Sequence, residues 1–198
     1  MKFELEHRKP IELEQSTIHD SNGEKVNTLK QLPIDFSKVL TFLYKSESDK
    51  SRSETDHALE VFVGLPSVAM TDLSIADGAK IIASTRAVTK WLDTPWSEWL
   101  TEYSALKSAE DSSVVVGVDG VSLSLGYSNA RFGHVLQASR ASQIKDAWLI
   151  FVSAVLTHED GARLTDSEIG RLPFKLGLIA GMLGGKTIAR VNDSENFI

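Results

Sequence analysis

Apolar and polar residues alternate along two stretches of the chain, and each stretch contains a pair of residues suited to a tight turn. In 114–125, two arms rich in valine and leucine flank Asp119-Gly120, where Gly tolerates the positive φ of a two-residue turn. In 17–29, two shorter arms flank Asn22-Gly23 in the same manner. Both patterns predict β-hairpins. A further alternating stretch at 2–6 predicts a strand.

Apolar residues recur at spacings of three and four after the first hairpin, which is the period of a helix. Residues 36–43 and 58–63 each carry such a face, so both are predicted to be helices with a buried side. Residues 45–56 lie between them without an apolar side chain, and they are interpreted as an exposed loop or a solvated helix end. Ser74 is suited to cap a third helix, on which Ile75 is expected to face the core.

Aromatic residues are concentrated near the middle of the chain. Pro95 predicts the start of a helix there, because a proline at the first helical position loses no hydrogen bond. Aromatic stripes on helices usually pack into a core, but Trp and Tyr also dominate the energetics of protein interfaces. The alternative to core packing is therefore a partner-binding surface, whose candidate residues are Trp91, Trp96, Trp99 and Tyr103.

Further helices are predicted after the second hairpin. Residues 147–156 are almost wholly apolar, which favours a buried helix, and they fall short of the about 20 residues that span a bilayer. Thr165 and Glu168 form a capping-box pair at the start of the next helix. Residues 174–183 predict a helix that ends at Gly184-Gly185. Two residues of this helix join the candidate partner-binding set, Phe174 and Leu178.

These patterns together predict a helix-rich α+β fold built from two modules, each with a β-hairpin and helices. The linker-like stretch 105–113 separates them, which gives an N-terminal module at 1–107 and a second module at 108–198. Both modules contain an apolar helix that is followed by a capped helix, at 58–77 and at 147–168. A degenerate internal repeat explains this parallel, and coincidence explains it equally well.

Two short motifs resemble catalytic ones without the context that catalysis needs. Residues 180–187 match a relaxed phosphate-loop pattern, but too little chain follows them to complete a nucleotide-binding fold. Residues 126–130 differ by one residue from the serine-hydrolase elbow, but a hairpin arm precedes them in place of a central parallel strand. Ser128 or Asn129 is interpreted instead as the cap of the helix that contains Phe132.

Composition adds further limits on function. The 5 histidines lack metal-site spacing, and the chain has no cysteine, so no catalytic residue, cofactor site or metal site is predicted and the protein is not expected to be an enzyme. The net charge of −6 disfavours binding to nucleic acid. The first residues lack the apolar core of a signal peptide, and no membrane partner is expected. These features predict a cytoplasmic protein.

Several turn and helix-start motifs occur in order within residues 3–92: a strand that ends in Lys9-Pro10-Ile11, a hairpin, Leu32-Pro33 before a helix, Gly64-Leu65-Pro66 after a short apolar helix, and Leu73-Ser74-Ile75-Ala76-Asp77 at the next helix. In this arrangement the chain resembles the tail assembly chaperone family of long-tailed bacteriophages. The second half of the chain departs from that family, whose members are often shorter.

The resemblance implies a non-enzymatic protein of the host cytoplasm that binds the tape measure protein or tail tube proteins during assembly and self-associates. Under this hypothesis, Trp96→Ala and Trp99→Ala are expected to weaken binding without unfolding the protein. The alternative is a virion structural component in the tail, such as a baseplate, hub or connector protein. A third hypothesis, a small hydrolase or nucleotide-binding enzyme, rests on the two short motifs alone.

Overall fold

A computed structural model of the chain describes residues 2–4, 17–19, 25–28, 35–63, 75–118 and 120–195. The described strands are β1 (Lys2–Glu4), β2 (Thr17–His19), β3 (Lys25–Thr28), β4 (Val114–Val118), β5 (Val121–Leu125) and β6 (Leu156–His158). The described helices are α1 (Phe36–Ser48), α2 (Glu54–Ala58), α3 (Ile75–Leu92), α4 (Trp96–Glu102), α5 (Leu106–Ala109), α6 (Phe132–Ala138), α7 (Ile144–Val155), α8 (Asp166–Gly170) and α9 (Phe174–Glu195). The predicted helix-rich α+β class is confirmed.

The chain divides into two compact units that differ from the predicted halves 1–107 and 108–198. The first unit comprises Met1–His7, Asp35–Leu40 and Thr94–Ile198. The second unit comprises Arg8–Ile34 and Thr41–Asp93. The difference arises because β1, at the start of the chain, pairs with β4 and so belongs with the later residues. Such a long-range pairing leaves no local signal in the sequence.

The first unit contains a sheet with the strand order β1-β4-β5-β6. Strands β4 and β5 form the predicted hairpin, with Val118 opposite Val121 and with Gly120 at φ 82° in the turn. Strand β1 runs parallel to β4, and Phe3 lies opposite Val116. Strand β6 pairs antiparallel with β5 and was not predicted. It continues directly from α7, the predicted buried helix.

Helices α7 and α9 pack closely in the first unit, and two glycines of α9 make this approach possible. A Cβ on Gly184 would lie 1.9 Å from the carbonyl oxygen of Phe151, and a Cβ on Gly181 would lie 2.2 Å from the ring of Trp148. A Cβ on Gly177 would lie 2.3 Å from the ring of Phe36, which belongs to α1. The prediction that this helix ends at Leu183 is therefore wrong, because its glycines serve packing and do not terminate the helix.

The stretch 105–113 is not a linker, which corrects the sequence-based interpretation. It contains α5, where Leu106 and Ala109 are completely buried. Ser112 accepts a hydrogen bond through its carbonyl oxygen from the amide of Ser128. A Cβ on Gly126 would lie 2.0 Å from that same oxygen. The segment is thus part of the packed first unit.

The second unit contains the β2–β3 pair, which is antiparallel and has an irregular register between Ile18 and His19. The hairpin arms are confirmed, whereas the Asn22-Gly23 turn lies outside the described residues. Ile75 was expected to face the core, but its side chain is 93% exposed at the first position of α3. The caps of the first proposed repeat, at 64–74, also lie outside the described residues, so the internal repeat stays a prediction.

The polar stretch 45–56 contains the end of one helix and the start of the next. Its beginning forms the end of α1, and Ser53 starts α2 through a capping box with Asp56. Helix α2 continues into a π-helical segment at Leu59–Val63, which confirms the predicted helical face. Glu60 in that segment accepts hydrogen bonds from both Lys45 and Arg52.

Candidate partner-binding surface

The predicted partner-binding residues lie mostly inside the first unit. Trp99 and Leu178 are completely buried, and Phe174 is 6% exposed. Trp96 and Tyr103 are partly exposed. The remaining candidate, Trp91, lies in α3, but its side chain is outside the described part of the structure. Trp99, Phe174 and Leu178 therefore lie in the core, whereas Trp96 and Tyr103 keep part of their surface exposed.

Trp96 belongs to a polar network that joins α4, α5 and α9. Its indole Nε1 donates to Glu110 Oε1 at 2.9 Å, and Lys186 Nζ donates to the same oxygen at 2.6 Å. The ammonium of Lys186 also lies 5.2 Å from the centre of the Trp96 ring. The hydrogen bond from Lys186 lowers the pKa of Glu110, and burial opposes this shift. The network holds Trp96 in an intramolecular contact.

A second network surrounds Trp99 and Tyr103. Their rings stack with centres 6.3 Å apart, and Lys175 Nζ lies 5.9 Å from the Trp99 ring. Lys175 also donates to Glu102 Oε1 at 2.8 Å. Burial raises the pKa of Tyr103 above its usual range, and Glu102 reinforces the shift. Burial opposes ionisation of Glu102, but hydrogen bonds from Lys175 and Tyr103 outweigh it and lower the pKa of that carboxyl.

Helix α6 presents the apolar surface that the sequence-based reasoning did not single out. Phe132 is 56% exposed and Leu136 is 44% exposed, and they are four residues apart on one side of the helix. His134 and Val135 on the opposite side are buried. We define the α6 face as the exposed residues Phe132, Gly133, Leu136, Gln137 and Arg140.

The cap of α6 differs from the prediction. The N-cap residue is Arg131, and neither Ser128 nor Asn129 occupies that position. Asn129 instead donates from Nδ2 to the carbonyl oxygens of Ser124 and Val155, at 2.9 and 3.0 Å. Its side chain thereby links the end of β5 to the end of α7 by hydrogen bonds, although these segments are far apart in sequence.

His134 connects the start of α6 to the core beneath it. Its Nδ1 accepts a hydrogen bond from the backbone amide of Arg131 at 3.1 Å, which makes Nε2 the protonated nitrogen of the neutral ring. Nε2 is buried without a hydrogen-bond partner in the described structure. Burial is the main reason that the pKa of His134 lies below its ordinary value of 6.5, and repulsion by Arg163 and Arg131 adds to it.

This arrangement predicts acid sensitivity. In the unfolded chain the pKa of His134 returns to 6.5, so the unfolded protein binds more protons than the folded protein below that pH. The free energy of unfolding is expected to fall as the pH drops below 6.5, by at most about 1.4 kcal/mol per pH unit from this residue. Urea unfolding at a series of pH values measures the slope.

His134→Asn is the matched variant for this prediction, since asparagine can still accept the Arg131 amide but does not titrate. Subtracting its stability curve from that of the unchanged protein removes the contribution of every other titrating group. The difference should shrink steadily below the ordinary pKa of histidine. Two curves that remain parallel through this range would contradict the prediction.

The two near-catalytic motifs occupy positions that do not support their chemistry. Residues 180–187 lie within α9, where helical hydrogen bonding engages the backbone amides that a phosphate loop would offer. Ser128 is exposed in a 3₁₀ turn at Tyr127–Asn129. His158 Nε2 lies 3.3 Å from Glu168 Oε1, so this histidine faces an acidic side chain of α8.

Within the described ranges, no group of three or more His, Asp or Glu side chains could hold a metal ion. Among the helices described, none has the length and apolar character needed to cross a bilayer. Comparison of the chain with protein-family models, curated proteins and solved structures found no match.

Proposed function

We propose that the protein is a non-enzymatic binding protein of bacteriophage tail assembly. In this role it holds an apolar helical segment of the tape measure protein, or of a tail tube protein, in the host cytoplasm before the particle is complete. The exposed apolar α6 face is the observation that supports this proposal. The order of motifs in residues 3–92, which resembles that of tail assembly chaperones, supplies the kind of partner.

The α6 face has a ridge of two apolar side chains beside an open position, and an apolar helix can pack against this arrangement. Phe132 and Leu136 form a ridge, and Gly133 lies beside it without a side chain. A Cβ on Gly133 would meet no atom within 4 Å, so the space above it is open. A partner helix can place an apolar residue over Gly133 and cover both sides of the ridge, as helix-in-groove complexes do.

Co-expression with the tape measure protein and the tube protein of the same phage tests this function. We expect one of them to co-purify with the protein. The double variant Phe132→Ser/Leu136→Ser is expected to reduce recovery by at least about tenfold, because the apolar contact is lost. Val121→Ser is the matched control, since Val121 is 52% exposed and belongs to β5, outside the α6 face as defined.

Two results would contradict the proposal. The first is the absence of both tail proteins from material purified with the unchanged chain. The second is stoichiometric recovery of the protein inside purified particles, which would make it a structural component of the virion tail.

A further inference from the structure

The charge around the α6 face differs from that of the whole chain. Residues 120–145 contain three basic residues, Arg131, Arg140 and Lys145, and no Asp or Glu, although the net charge of the chain is −6. All three basic side chains are exposed. Within the described residues, none of the three forms an ion pair. An exposed apolar ridge is thus accompanied in sequence by exposed basic side chains that form no ion pair in the described part of the chain.

Two of these basic residues adjoin the ridge along the chain. Arg140 follows Leu136 by four residues, as Leu136 follows Phe132, and the helical hydrogen bonding continues into the turn after α6. Arg131 directly precedes Phe132, and its Nη1 donates to the carbonyl oxygens of Ser128 and Ala130, both at 3.1 Å. Neutral carbonyls leave the guanidinium charge in place. The ridge therefore has an arginine at each end.

We propose that the α6 face binds a helix whose apolar stripe is flanked by carboxylates. This inference rests on the proposed function and adds the chemistry of the partner segment. Its leucine-like side chains would cover Phe132 and Leu136, while Asp or Glu side chains would pair with Arg131 and Arg140. A lysine-rich helix of the same apolar pattern is rejected by like charge.

The same features favour a peptide over a lipid surface. Binding to a membrane surface scales with the apolar area that is buried, and α6 offers only two large exposed apolar side chains, Phe132 and Leu136. The net charge of −6 would also oppose approach of the whole protein to anionic lipid.

The test uses the whole protein and two synthetic helical peptides of about 18 residues, enough for about five turns. Both peptides carry leucines at spacings of three and four, and only their flanking residues differ, glutamate in one and lysine in the other. In fluorescence anisotropy at low salt, the glutamate peptide is expected to bind about tenfold more tightly than the lysine peptide. Salt at about 0.5 M should remove most of this difference, because it screens exposed charges.

Three variants assign the preference to the α6 face. Arg131→Glu/Arg140→Glu is expected to reverse the peptide preference. Phe132→Ser/Leu136→Ser is expected to weaken the binding of both peptides by at least about tenfold. Lys38→Glu/Lys107→Glu makes the same change of charge at exposed residues of α1 and α5, and it should leave the preference intact. Circular dichroism of each variant confirms that the fold is retained.

Several outcomes would overturn the inference. These are equal affinity for the two peptides, preference for the lysine peptide, and tighter binding to phosphatidylglycerol vesicles than to the glutamate peptide. Self-association that Phe132→Ser/Leu136→Ser abolishes would assign the face to a second copy of this chain instead. If Arg131→Glu/Arg140→Glu still recovers the tail protein as well as the unchanged chain does, only this inference is overturned and the proposed function stands. Preference for the glutamate peptide without tail-protein recovery overturns only the proposed function.

Discussion

Gly184→Ala is expected to lower the free energy of unfolding by about 3 kcal/mol. The added Cβ would lie 1.9 Å from the carbonyl oxygen and 2.5 Å from the carbonyl carbon of Phe151. These atoms belong to the backbone of α7, so a rotamer change cannot relieve the clash and the two helices must separate. The loss of contact between α7 and α9 then exceeds the gain in helix propensity from alanine. Urea denaturation followed by circular dichroism measures the effect.

Gly185→Ala is the matched control for this experiment. A Cβ at that position would lie 3.7 Å from the ring of Phe151, which is ordinary van der Waals contact. Because alanine also favours a helix over glycine, this variant should be neutral or more stable by up to about 1 kcal/mol. Equal stability of the two alanine variants would show that α7 and α9 do not approach as closely as described.

Trp99→Ala is expected to destabilise the protein by about 3–5 kcal/mol. Trp99 is completely buried, stacks on Tyr103 and lies under the ammonium of Lys175. Its removal leaves a cavity among side chains that pack from α4 and α9. This expectation replaces the one drawn from the sequence, in which the variant weakened partner binding without unfolding. Thermal and urea denaturation, measured together with tail-protein recovery, distinguish a loss of stability from a loss of partner binding.

Trp96→Ala provides the comparison, since Trp96 is only partly buried and shares Glu110 with Lys186. We expect a smaller loss of about 1–2 kcal/mol for that variant. A Trp99→Ala protein of unchanged stability that no longer recovers the tail protein would show that Trp99 reaches a partner after all.

Local signals in the sequence predicted several elements correctly. The β4–β5 hairpin depends on strict alternation around Asp119-Gly120, and turn and arms are neighbours in sequence. The start of α8 depends on Thr165 and Glu168, which are three residues apart and form the predicted capping box. Each of these features is stabilised by groups within one short segment, so the segment alone carries enough information.

Features that depend on distant contacts were not predicted. Gly184-Gly185 has the composition of a helix end, and only the backbone of α7 beside it explains why the helix continues. Leu106 and Ala109 lie in a stretch that is polar on average, and their burial depends on packing in the first unit. Strand β6 has three residues, too few for a pattern. In each case the decisive neighbour lies far away in sequence.

The candidate surface was predicted poorly for a related reason. Size and aromaticity drew attention to Trp99 and Phe174, but those same properties favour burial, and both are in the core. Phe132 and Leu136 lie on a short helix that also carries the buried Val135, so apolar content alone does not reveal its exposed side. A usable signal was the acid-free, basic segment around them.

The pairing of β1 with β4 determines the order in which the protein can fold during translation. Residues 2–4 leave the ribosome well before their hydrogen-bonding partners at 115–117, which follow only after the whole second unit has been synthesised. The second unit can therefore fold while β1 is still unpaired, because β4 has not yet been synthesised. Removal of residues 2–4 would therefore impair a sheet that can be completed only after residues 115–117 have been made.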